Sequence, residues 1–120
     1  METCLLMVTC PDRKTAEGIA RRLVAGSLAA CGNVTAPVTS VYRWKGKVRR
    51  EAEVMLLLKT RKSLVGACVK AIRGAHPYEL PEIIALPIVG GLKGYLAWIG
   101  AETGGVVPPS RGGPGRMNPL

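Results

Sequence analysis

Strand-like and helix-like apolar patterns alternate along this chain in a single order: strand, helix, strand, strand, helix, strand. That order constrains the fold more than any other feature. The first run, "TCLLMVTC" over residues 3–10, is short, apolar and stopped by Pro11-Asp12, as a buried strand would be. Asp12 is placed to cap the stretch that follows. There Ala16, Ile19, Ala20, Leu23 and Val24 recur at the spacing of one helical face, with Arg13, Lys14, Glu17, Arg21 and Arg22 on the other. A Val- and Thr-rich segment from Gly32 to Val41 predicts a strand bent, or held at an edge, by Pro37. Lys45-Gly46 reads as a tight hairpin turn in which glycine supplies the positive φ. The return strand, about Arg49 to Thr60, is long and apolar and so belongs at the centre of a sheet.

Ser63 is the candidate cap of a second helix with Val65, Cys68, Val69 and Ile72 on one face, ended by Gly74 and Pro77. "EIIALPIV" (82–89) predicts another strand, at an edge or bulge because of Pro87. Leu92, Tyr95, Leu96 and Ile99 mark a short last helix. The whole is the split βαβ pattern. The expected fold is α+β and ferredoxin-like, a βαββαβ antiparallel sheet with both main helices on one face and a short C-terminal helix. At 120 residues the chain is one domain, and with no Phe its core must be aliphatic. Residues 1–103 are expected to form that domain. Residues 104–120, "GGVVPPSRGGPGRMNPL", are expected to be a flexible tail, because their composition cannot bury enough apolar surface to offset ordering.

No apolar stretch approaches the roughly 18 residues of a membrane span, and the N-terminus lacks the basic segment of a signal peptide. A cytoplasmic protein with reduced cysteines is expected, and no membrane partner. Cys4, Cys10, Cys31 and Cys68 are scattered without a C-x-x-C pair. The net charge of +9 is partly concentrated in "YRWKGKVRR". A basic cluster around an aromatic can bind nucleic acid. The preferred reading is a solvated hairpin tip whose Lys and Arg block stray strand pairing.

One stretch gathers chemistry: "HPYELPEI", residues 76–83, holds the only histidine, two prolines, a tyrosine and two carboxylates. Pro77 forces His76 into extended geometry and Pro81 stiffens the other end. His76, Tyr78 and Glu82 would then be presented as a pre-shaped pocket wall. The plainer alternative is a rigid turn between helix and strand. Neither a nucleophile–base arrangement nor a phosphate-cradling loop is visible, since "GGLKG" (90–94) lacks the P-loop spacing. No enzyme is expected, although a Glu82–His76 acid–base pair needs only two placed groups.

Several blocks together resemble the CutA family, the divalent-cation tolerance proteins: "LAAC" (28–31), "SVYRWKGKV" (40–48), "EVMLLLKT" (53–60), "HPYELPEI" (76–83) and "GYLAWI" (94–99). The resemblance runs from about Leu6 to Ile99 and excludes the tail. It implies a ferredoxin-like homotrimer in the cytoplasm, linked to tolerance of copper and other divalent metals, with no established catalytic activity and an architecture similar to the PII signalling proteins. On that basis a ligand pocket is expected from Trp44, Lys59, His76, Tyr78 and Glu82 at subunit boundaries, Glu82 being one partner for the Lys59 ammonium. The ligand would be a divalent metal or a small anionic metabolite. His76 and Cys31 are the candidate metal ligands, Cys31 matching the family's "AAC" cysteine. One imidazole per chain is too few for a closed transition-metal site, so weak copper binding is expected and no cofactor is required. The alternatives are a PII-like regulator docking a protein through the basic hairpin, and an RNA-binding module.

Overall fold

The computed structural model describes residues 1–104. Of the expected tail, 104–120, all but Gly104 lies outside the described residues. Gly104, counted with that tail in the sequence reading, still donates its N–H to the Ser27 carbonyl at 2.9 Å.

The elements follow in the expected order: β1 (Thr3–Cys10), α1 (Arg13–Ala25), β2 (Cys31–Val34), β3 (Val38–Trp44), β4 (Lys47–Arg61), α2 (Val65–Ala75), β5 (Ile83–Ile88) and α3 (Lys93–Ala101). The sheet runs β2-β4-β1-β5, with β3 also paired to β4 and every described pairing antiparallel. The segment expected as one bent strand is thus two. Pro37 has no N–H to give the ladder, and β2 and β3 pair in turn with the two halves of the same long β4. β4 spans 15 residues and lies between β2 and β1, so the central place expected for "EVMLLLK" is observed.

Strand alternation sorts the residues into two faces. Leu6, Val8, Leu56 and Leu58 are fully buried with Ile19, Leu23, Cys68 and Ile72 of the two main helices, and this is the core. Opposite rungs on the other face carry Leu5 with Leu86 and Met7 with both Leu57 and Ile84. This second face is only partly covered, Ile84 remaining 48% and Leu86 39% exposed.

The local signals acted as physical chemistry requires, with two exceptions. Asp12 caps α1 by accepting from the Thr15 N–H at 2.8 Å. Lys45 and Gly46 both take positive φ, 51° and 80°, and close a two-residue hairpin between Trp44 and Lys47. Ser63 does not cap α2. It sits inside a 3-10 turn, Lys62–Leu64, and α2 begins without a side-chain cap. Gly74 does not stop α2 either. The helix runs to Ala75 and ends where Pro77 holds His76 extended at ψ 137°.

Candidate functional site

Beyond Val54 the β3–β4 hairpin leaves the main sheet as a two-stranded ribbon, because β1 pairs β4 only over Val54–Arg61. The loop after α2 folds under this ribbon. Between them lies a groove of about 680 Å³. One wall is built by period-2 alternation: Ser40, Tyr42 and Trp44 from β3 stand opposite Glu51, Arg49 and Lys47 of β4. Glu53, opposite Val38, extends that row toward the sheet. The other wall is Pro77, Tyr78, Glu79, Leu80 and Glu82.

Two phenol–carboxylate pairs fix the walls. The Tyr78 hydroxyl donates to Glu53 Oε2 at 2.6 Å, and the Tyr42 hydroxyl to Glu51 Oε1 at 2.7 Å. Burial, then the bond to Glu53 and its charge, push the Tyr78 phenol well above its ordinary range. The bond to Glu51 raises that of Tyr42. Both phenols therefore remain donors at neutral pH. Glu53 is only 6% exposed, and no described Lys, Arg or His lies within ion-pair distance of it.

His76 stands behind this wall rather than in it. At 8% exposure, its Nε2 lies 2.8 Å from the Thr9 carbonyl, while Nδ1 accepts from the Tyr78 N–H at 3.2 Å. Nε2 is then the protonated nitrogen, and both ring nitrogens are engaged. The imidazole packs on the Tyr78 ring with centroids 4.7 Å apart, so it props Tyr78 toward the groove.

Of the five residues expected in the pocket, Trp44, Tyr78 and Glu82 line it together. Lys59 does not. Its ammonium contacts Asn33 Oδ1 and lies 3.8 Å from Cys31 Sγ, because Cys31 pairs with Lys59 across β2 and β4. Glu82 is not its partner. Ile83, next to Glu82, faces Val8, whereas Lys59 faces Leu5 further along the same strand. The metal pair His76 and Cys31 is separated for the same reason, Cys31 belonging to the Lys59 end. No group of three or more His, Cys, Asp or Glu side chains placed to hold a metal ion occurs among the described residues. The donor set of one chain therefore does not fit a closed copper site. A small anionic ligand is also disfavoured, since Glu51, Glu53, Glu79 and Glu82 outnumber the single guanidinium of Arg49 in the lining.

Sequence reasoning missed Glu51, Glu53 and Tyr42. A signal for the first two existed: once Lys45-Gly46 is a two-residue turn, counting back along β4 puts both carboxylates on the face of Trp44 and Tyr42.

A four-strand antiparallel path with a projecting β3–β4 ribbon over an acidic, aromatic groove defines an α+β protein of the ferredoxin-like class. The chain belongs to the CutA1 divalent ion tolerance protein family, whose pattern matches residues 4–102. It is 50% identical over 93 residues to a CutA homolog of Xenopus laevis, covering 78% of this chain and 62% of that one. It is 40% identical over 100 residues to the divalent-cation tolerance protein CutA of Thermus thermophilus, covering 83% of this chain and 97% of that one. The crystal structure of CutA from Xylella fastidiosa superposes with a TM-score of 0.83 at 41% identity, over 87% of this chain and all of that one. This chain thus spans under two thirds of the vertebrate relative and nearly all of the bacterial one. Compartment names differ among relatives: a rice protein is called chloroplastic and the Archaeoglobus fulgidus structure periplasmic. No helix among the described residues is long and apolar enough to cross a membrane.

Proposed function

We propose that this chain is a homotrimeric cytoplasmic protein of divalent metal tolerance that binds cations weakly in the groove beneath its β3–β4 ribbon. Its role is binding, and no chemical step is assigned to it. The observation that carries this reading is Glu53, a buried carboxylate lining the groove without a described counter-cation. Burying such a charge is costly unless something positive approaches it. The family name supplies the class of ion. Copper and other divalent ions are cargo here, held loosely by oxygen ligands and water rather than in a closed site.

The trimer is supported by the open face of the sheet. Leu5, Met7, Leu57, Ile84 and Leu86 form one apolar surface that α1 and α2 do not cover, and a closed ring would bury it and stop further growth. A reducing compartment suits the four cysteines, all free and buried. Sedimentation at micromolar concentration should give a single trimer, and a stable monomer would overturn this assembly. Calorimetric titration with Cu²⁺ and Mg²⁺ should give weak, saturable binding that Glu53→Gln reduces.

A second reading is favoured by one feature. The ribbon projects beyond the sheet and its tip carries Arg43, Lys45, Lys47, Arg49 and Arg50, a surface suited to an acidic protein partner as in PII-like regulators. A partner captured by wild type and lost on neutralising Arg43 and Lys45 would support it. If RNA were the partner, binding would fall steeply with salt through counterion release.

A further inference from the structure

We propose that the groove's preferred ligand class is the linear organic polycation, an alkyl diamine or polyamine, bound more tightly than a bare metal ion. This rests on the cation-binding reading above and specifies its ligand.

Four features of the groove converge on that chemistry. Carboxylates stand on both walls, Glu51 and Glu53 on β4 and Glu79 and Glu82 on the facing loop. A bare ion needs its ligands gathered within one coordination sphere, and no such cluster occurs among the described residues. Separated carboxylates suit positive charges separated by methylenes. Second, a volume of about 680 Å³ is that of an organic ligand, far larger than a bare cation. Third, aromatic rings stand among the carboxylates, and a ring face attracts an alkylammonium while its apolar body covers the methylenes. Trp44 already shows this preference within the chain: the Lys45 ammonium lies 5.6 Å from the centre of its indole ring.

The fourth feature is Glu53. It is more than nine-tenths buried, and its Oε2 takes the Tyr78 hydroxyl. Its Oε1 takes no hydrogen bond from any described residue and keeps some accessible surface, on a residue that lines the groove. An ammonium seated there would gain a charge-assisted hydrogen bond in a partly desolvated setting. Arg49 limits where the cation sits. It lies toward the basic ribbon tip, so the favourable field is at the groove floor, between Glu53 and the loop.

The full-length protein titrated with spermidine at about 0.15 M salt provides the test, with MgCl₂ and CuCl₂ titrated alongside. Spermidine should saturate at one equivalent per subunit. Glu53→Gln should weaken it about tenfold or more, as the loss of a charged hydrogen bond does, and Trp44→Ala, on the tip side of Arg49, only a few-fold. Glu82→Gln, at an exposed residue where folding is not at stake, should weaken it several-fold, and Glu17→Gln on the outer face of α1 should leave it unchanged. Equal spermidine affinity across these variants, or its displacement by Mg²⁺ at matched charge, would overturn the proposal. Saturation by Cu²⁺ without saturation by spermidine would show the ligand class to be wrong while the metal reading stands. Failure of every cation to bind would remove the groove as a cation site and both readings with it.

Discussion

The Tyr78 hydroxyl and the Glu53 carboxylate meet at 2.6 Å, tying the loop after α2 to the base of the β3–β4 ribbon. The two residues are 25 positions apart in the chain, and their bond closes the inner end of the groove. His76 stands on the far side of Tyr78 and accepts its N–H, so the chain of contacts runs from β1 through the imidazole and phenol to β4.

Tyr78→Phe should therefore destabilise the protein although it removes a single oxygen. Glu53 would keep its burial and lose its only described hydrogen bond, at a cost of about 1–3 kcal/mol. Adding Glu53→Gln should recover part of this loss, because a neutral amide is less costly to leave unpaired than a carboxylate. Urea denaturation at fixed protein concentration checks both, the concentration being held because assembly is linked to stability. A Tyr78→Phe protein as stable as wild type would mean that water replaces the phenol without loss.

Close packing between α1 and the sheet makes a second prediction. A Cβ at Gly32 would lie 3.0 Å from Ala20 Cβ and 3.0 Å from Leu58 Cδ2. Neither neighbour can move freely, since Leu58 is fully buried and Ala20 packs against the core. Gly32→Ala should cost about 1–3 kcal/mol by overpacking. Gly66→Ala, with nothing within 4 Å of its Cβ position and lying inside α2, should instead stabilise by about 0.5–1 kcal/mol. Thermal melts that rank the two the other way would show that the helix–sheet spacing is softer than this geometry.

The fold was legible because its signals are local. The stripe from Ala16 to Val24, the Asp12 cap and the Lys45-Gly46 turn each act within a few residues, and together they dictate the element order. The boundaries of α2 were less legible. Ser63 and Gly74 have the right chemistry for caps, yet the helix start was preceded by a 3-10 turn and its end was set by Pro77 acting on His76. Of the groove's lining, Tyr78 and Glu82 were singled out because prolines mark an ordered turn, and Trp44 because of the family resemblance. Lys59 was misplaced because its partner depends on which rung of β4 faces β2, a register that composition does not carry. Glu53 was not singled out, since its burial depends on a loop that returns only after α2.

Cys10 should mark alkaline weakening. Burial, then the nearby charges of Asp12 and Glu53, push its thiol from 9.0 up to about 11. Below pH 9 the thiol is protonated in folded and unfolded chains alike, and it adds no pH dependence. As pH rises from about 9 toward 11, the unfolded chain releases this proton and the folded one retains it, so stability falls across that window. Cys10→Ala, though it leaves a small cavity, should flatten this part of the stability–pH curve. In the native protein at pH 8, iodoacetamide should modify Cys10 only at the rate of unfolding. A curve with the same slope in Cys10→Ala would assign the alkaline loss to other groups.

The histidine tests whether metal or geometry is the purpose of "HPYELPEI". Both nitrogens of His76 are engaged, Nε2 with the Thr9 carbonyl and Nδ1 with the Tyr78 N–H. A copper ion could take either nitrogen only by breaking one of these bonds and leaving a buried group unpaired, which offsets much of what the metal would gain. His76→Ala should therefore lower copper affinity only a few-fold. Its larger effect should be on stability, about 1–3 kcal/mol, as Thr9 and Tyr78 lose their partner and the Tyr78 ring its support. His76→Asn, which retains a donor and an acceptor on a shorter side chain, should recover part of the stability without restoring an imidazole. Copper calorimetry and urea melts on the three proteins separate the two roles. Prolines on both sides of the turn and a ring bonded at both nitrogens describe a brace that aims Tyr78 at Glu53. A stoichiometric submicromolar copper site abolished in both variants would reverse that order and make the imidazole a ligand first.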